Sequence, residues 1–103
     1  MRKTHALIQV ILVLMDDPLE KHWGYELTKR AGVRSGVLYP LLGRMLDEGW
    51  LEDGWEDPNE IVGKRPPRRY YKLTADGVAA LGSIRHEVRD DARFTALLAG
   101  GAL

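Results

Sequence analysis

The sequence predicts a mainly α fold with a single β-hairpin, in the order helix, helix, helix, hairpin, helix, and three observations carry that expectation. Two helical segments flank a short turn at Gly32, the signature of a helix-turn-helix. Two aromatic-rich segments follow, Trp50 to Trp55 and Arg68 to Leu73, joined by a loop holding Pro58, Gly63, Pro66 and Pro67. A last apolar stripe then runs at helical spacing from Val78. Together they describe a winged helix-turn-helix over residues 1–73, with the wing at 50–73, and a C-terminal dimerisation helix within 74–103 that belongs to the same compact unit.

Each element has its own justification. The first helix spans about Lys3 to Met15 and is apolar nearly all round, so it needs cover on two sides. One side is this domain's core; the other falls to a second subunit or to a long C-terminal helix of the same chain. Asp16-Asp17-Pro18 stops it. The second helix runs from about Trp23 to Arg30, with Tyr25 and Leu27 near its buried side and Lys29 and Arg30 in the last turn, where the helix dipole favours cations. The third covers Val33 to Glu48, with Leu38, Leu41, Leu42, Met45 and Leu46 as its apolar face and Gly49 as its end. Thr74 caps the last helix, which carries Asp76 in its first turn and continues to about Leu98 through Val78, Leu81, Ile84 and Val88.

Length and composition set limits. A chain of 103 residues makes one domain, of a size at which oligomerisation often adds stability. The absence of cysteine excludes disulfides, thiolate metal sites and cysteine nucleophiles, and it suits a reducing cytoplasm. The apolar run Ala6 to Met15 is about half the roughly 20 residues of a membrane span and lacks a signal-peptide cleavage site, so an intracellular protein without a membrane role is expected.

Net charge is zero, yet the charge is segregated. Five of the 15 Lys and Arg residues lie between Gly63 and Lys72, where no acid occurs, and seven carboxylates lie between Asp47 and Glu60, where no Lys or Arg occurs. The expectation is two electrical faces, the basic one suited to a polyanion. Lys64, Arg65, Arg68 and Arg69 on a stiff loop would meet duplex phosphates or the minor groove. The bland alternative is a solvated hairpin balancing its neighbouring acids.

On the third helix, the side opposite the leucines presents Gly36, Val37, Pro40 and Arg44, flanked by Tyr39 and Gly43. Two accounts stand side by side. Small residues could let the backbone sit deep in a major groove, with Val37 on a thymine methyl and Arg44 on a guanine or phosphate. Or Pro40 and Gly43, costly inside helices, could mark a kinked helix with an ordinary solvated face.

Among the remaining polar aromatics, strand alternation sends Tyr71 with Leu73 to one face and Tyr70 to the other, so at least one tyrosine is core. Trp23, Trp50 and Trp55 read as packing residues. His22 and Glu26 have a spacing that could clasp a metal, but two ligands are weak evidence, and no metal or other cofactor is expected. No catalytic triad, phosphate loop or paired carboxylates supports an enzyme.

Four motifs, Gly24-Tyr25-Glu26-Leu27, Gly36-Val37-Leu38-Tyr39-Pro40-Leu41-Leu42, Asp47-Glu48-Gly49-Trp50-Leu51 and Pro67-Arg68-Arg69-Tyr70-Tyr71-Lys72-Leu73-Thr74-Ala75-Asp76-Gly77, resemble those of the PadR family of bacterial transcriptional regulators, in order and with suitable spacing from about Leu7 to Gly77. The resemblance implies a cytoplasmic homodimer that binds operator DNA, usually as a repressor, dimerising through its first and last helices and in some members released by a small aromatic effector. It also implies that proline is at home at position 40. Carried over by motif position, the DNA-facing residues are Ser35, Gly36, Val37 and Tyr39 with Lys64, Arg65, Arg68 and Arg69; Arg44 and Tyr70 join them on the residue reading. Leu7, Ile11, Leu14, Ile84, Val88, Phe94, Leu97 and Leu98 are the candidates for a dimer interface, either filled or enclosing an effector pocket.

Three departures from the family pattern stand out. Gly43 replaces a frequent basic residue, the loop around Asn59-Glu60-Ile61-Val62 is long, and the last helix stops early at Ala99-Gly100-Gly101 with Asp90 and Asp91 interrupting its stripe. The rival function is a winged-helix protein-interaction module that uses the acidic segment.

Overall fold

The computed structural model describes residues 1–99. Helix α1 (His5–Asp16) begins where Thr4 accepts a hydrogen bond from the Leu7 amide at 3.1 Å, and Leu7, Ile8, Val10, Ile11 and Leu14 are buried along it. It is the central post of the fold: α2 (Gly24–Ala31), α3 (Ser35–Asp47), α4 (Ala75–Glu87) and α5 (Thr95–Leu98) all pack against it. Its all-round apolar character thus has a cause within one chain.

Helix α2 closes at Gly32, whose φ of 66° lets the amide turn back to the Thr28 carbonyl, a left-handed cap that favours glycine. Helix α3 buries Leu38, Leu42 and Met45 and half-buries Leu41 and Leu46, the face expected from their spacing. It continues through Pro40, whose missing N–H falls on the solvent side, where water can serve the orphaned carbonyl.

The sheet has three strands, one more than the expected hairpin. Strand β2 (Leu51–Trp55) pairs antiparallel with β3 (Arg69–Leu73), Leu51 opposite Leu73 and Asp53 opposite Tyr71. The two-residue β1 (His22–Trp23) adds to the other edge of β3, with His22 opposite Tyr71 and Trp23 opposite Tyr70. Helix α2 therefore starts at Gly24, one residue later than its sequence suggests. The expected alternation holds: Tyr71 and Leu73 are buried and Tyr70 is not.

Thr74 ties wing to helix. Its hydroxyl accepts from the Gly77 amide at 2.9 Å and donates to the Gly49 carbonyl at 2.6 Å, fixing α4 against the end of α3.

The single C-terminal helix expected to run to Leu98 is instead two pieces. Helix α4 ends at Glu87, and Val88 to Phe94 turn sharply, because Asp91 draws in the Arg93 amide at 2.9 Å and the Arg93 guanidinium at 2.7 Å. Such local side-chain bonds offer the backbone an alternative to helix. The turn swings Phe94 onto α1, where it is 1% exposed with its ring 5.1 Å from His5, whose Nε2 meets the Arg93 carbonyl at 2.8 Å. Helix α5 is then one turn laid on α1. The early stop expected at Ala99-Gly100-Gly101 falls at and beyond the last described residue.

Candidate nucleic-acid interface

Helix α3 presents Ser35, Gly36, Val37, Tyr39, Pro40 and Arg44 to solvent, and no atom outside the helix lies within 4 Å of where a side chain would stand on Gly36 or Gly43. A face of small residues without neighbours lets the helix backbone approach a flat or grooved partner closely. Arg34 and Arg44 bracket it, and neither forms an ion pair among the described residues.

The wing is electrically different from its sequence. Pairing β2 with β3 interleaves the acidic and basic segments, so the expected two faces become one neutralised hairpin. Glu56 receives Arg65 in a two-pronged pair at 2.6 and 2.8 Å, accepts the Arg68 amide at 3.2 Å and lies 3.6 Å from the Arg68 guanidinium. These partners, the Arg65 hydrogen bond foremost, hold the Glu56 carboxyl at about 2, well below its ordinary 4.5. Asp53 accepts both the Nε and a terminal nitrogen of Arg69 on a single oxygen, Oδ2. The three arginines still keep roughly two-fifths to half of their side-chain surface, so they are matched but accessible. Lys64 is exposed beyond them at the loop tip, next to Gly63, whose φ of 90° favours glycine.

Between α3 and the wing lies a cleft of about 660 Å³ lined by Trp23, Gly24, Tyr25, Glu26, Lys29, Tyr39, Arg68, Arg69 and Tyr71. It brings together three of the expected site residues, Tyr39, Arg68 and Arg69. The others are elsewhere: Lys64 and Arg65 lie further out on the loop, Arg44 lies further along α3, and Tyr70 stacks edge-on to Trp23 at 5.9 Å with Lys21 over its ring. Sequence reasoning missed Gly24 and Lys29 as cleft residues. It also placed Tyr25 toward the core, whereas the ring is 68% exposed and carries Lys29 at 5.1 Å. Trp55, expected to pack, is 67% exposed at the end of β2. His22 is buried in β1 with Nε2 on the Asp17 carbonyl at 2.9 Å.

The interface candidates divide. Leu7, Ile11, Leu14, Val88 and Phe94 are at most 2% exposed inside the chain's own core, while Ile84, Leu97 and Leu98 are half-buried. A second, shallower cleft of about 460 Å³ is lined by Leu12, Gly82, Arg85, His86, Arg89 and Leu98, and of the eight candidates only Leu98 reaches it. Among the described residues no helix is long and apolar enough to cross a membrane.

A helical core with a three-stranded wing sheet flanking an exposed third helix is the architecture of winged-helix regulators. The model of the transcriptional regulator PadR-like family matches residues 11–83, and the chain belongs to that family. Solved structures agree in fold. A PadR family transcriptional regulator from Eggerthella lenta is 28% identical over 90% of this chain and 82% of its own, with a TM-score of 0.62. A PadR-like transcription factor from Bacteroides fragilis is 26% identical over 86% and 84%, with 0.63. A PadR family regulator from Clostridium difficile is 22% identical over 88% and 97%, with 0.65. No protein of curated function matches the chain in sequence.

Proposed function

We propose that the protein is a cytoplasmic, sequence-specific DNA-binding repressor that acts as a homodimer on a pseudo-palindromic operator. The observation that carries this reading is the exposed, small-residue face of α3 beside a cleft edged by Arg68, Arg69 and Lys29. A reading helix and a backbone-gripping wing need that adjacency. Each protomer sets Val37 and Arg44 against base edges and Ser35, Tyr39, Lys64, Arg65, Arg68, Arg69 and Tyr70 along the sugar-phosphate track, with the two α3 helices about 34 Å apart. Repression follows from occluding polymerase. The half-buried Ile84, Leu97 and Leu98 supply the apolar surface for a second copy. With Phe94 and Leu7 packed in the core, the residues that would enclose an effector are already filled, and we assign none.

The test is binding of a labelled duplex measured against salt. Neutralising three to four phosphates per protomer makes log K fall against log salt with a slope near −6, a loss of more than about a thousandfold between 50 and 200 mM. A flat salt response, or no retardation of any duplex at low salt, would instead favour a protein-interaction module.

A further inference from the structure

We propose that the cleft at the start of α2 receives one phosphodiester group of the duplex, held by the hydroxyls of Tyr39 and Tyr71 and by the first amides of α2. The inference rests on the DNA-binding reading above and adds to it a defined seat for one phosphate, built largely from residues outside the recognition helix and the wing tip.

Two independent observations meet there. The first is the helix start itself: no side chain caps α2, so its leading amides have no side-chain acceptor and the positive end of the helix dipole faces the cleft. The hydroxyl of Tyr39 lies so close to Gly24 that a Cβ at that position would overlap it, which sets the α3 tyrosine directly against the first turn of α2. The second is Tyr71. It is 3% exposed, yet no protein group hydrogen-bonds its hydroxyl among the described residues. Among the described residues no side-chain polar atom is sealed away without a partner, so that hydroxyl opens onto the cleft that Tyr71 lines. A buried phenol whose one polar atom has no protein partner and faces a concavity can donate to an acceptor that enters it.

The surroundings select an anion. Lys29, Arg68 and Arg69 rim the cleft with Glu26, while Asp53 and Glu56, the carboxylates that hold Arg69 and Arg68, stand outside its lining. Burial, with Tyr39 and Asp53 adding to it against the pull of Arg69, pushes the Tyr71 phenol above its ordinary value, so it keeps its proton and can only donate to a phosphate oxygen. Trp23 and Tyr25 wall the site with rings already engaged by Arg68 at 5.4 Å and Lys29 at 5.1 Å, which holds both cations at the mouth.

Tyr71→Phe removes one oxygen and leaves the packed ring. With a labelled random-sequence duplex of about 30 bp, three helical turns, the expected result is a Kd about tenfold weaker, the effect of losing one hydrogen bond to a charged group. The salt slope stays that of the wild type because no charge is lost, and the melting temperature is unchanged. In wild-type protein labelled with 15N-glycine, the Gly24 amide shifts on adding the duplex and not on adding inorganic phosphate at the same phosphate concentration. Wild-type affinity in Tyr71→Phe, a Gly24 resonance that ignores the duplex, or an equal response to inorganic phosphate would each overturn the assignment while the regulator reading stands. Failure of the wild-type protein to bind any duplex would remove both.

Discussion

At Gly77 the first turn of α4 presses against the Trp50 carbonyl so closely that a methyl group has no space, and the obstacle is backbone. Gly77→Ala is therefore expected to lower the unfolding free energy by about 1–3 kcal/mol, read in urea as a lower midpoint at unchanged slope; a midpoint equal to the wild type would mean that α4 can shift without loss. Gly24 has the opposite character, since what fills its space is the far end of the Tyr39 side chain, which can swing away. At this scale the sequence was informative where periodicity decides. The burial of Tyr71 and Leu73 follows from strand alternation, and that of Leu38, Leu42 and Met45 from helical spacing. It was silent where register decides. That Asp53 meets Arg69 and Glu56 meets Arg65 depends on how two distant segments align, which runs of like charge do not encode.

Among the elements, the wing loop depends most on one side chain. Glu56 sits where β2 gives way to the loop and gathers Arg65 and Arg68 from its far side, so it acts as a clasp. Because its carboxyl is held at about 2 rather than 4.5, the clasp contributes its full stability above the ordinary value and loses it as pH falls through about 2. A carboxyl 13C titration should give Glu56 a midpoint near 2, and Arg65→Ala should return it toward 4.5; a wild-type midpoint above 4 would show that Arg65 is not held. The hairpin was legible from its aromatic strands and proline-rich loop. The strand β1 was not, because two residues carry no periodicity and pair only once β3 is in place. The broken last helix was half-legible: Asp90 and Asp91 were visible as an interruption, but the capping by Asp91 that turns the chain back needs Arg93 in three dimensions.

For the whole molecule, the chain supplies most of the cover that α1 needs, since Phe94 and α5 lie on it and Lys3 bridges to Glu87 at 3.0 Å. For the second copy proposed above, the half-buried apolar residues are Leu12 and Leu98, which share the shallower cleft, with Ile84 and Leu97. Sedimentation should show a dimer whose dissociation is sensitive to Leu12→Glu, and this variant should lose duplex affinity together with its partner while keeping its helical circular dichroism. A Leu12→Glu protein that still sediments as a dimer would place the contact elsewhere. The architecture and the family were readable from motif order, whereas the share of α1 left for a partner depended on the path of the last residues.

The matched arginines of the wing carry a consequence for selectivity. A guanidinium that already holds Glu56 or Asp53 must share or leave that carboxylate to meet a phosphate, so part of each new contact offsets one given up. Such an exchange favours no base, and on the DNA-binding reading proposed above it would hold random DNA less firmly than the same number of unpaired cations. The discrimination is then left to the bare face of α3, and a protein that must search a genome for one site is better served by an indifferent grip than by a strong one.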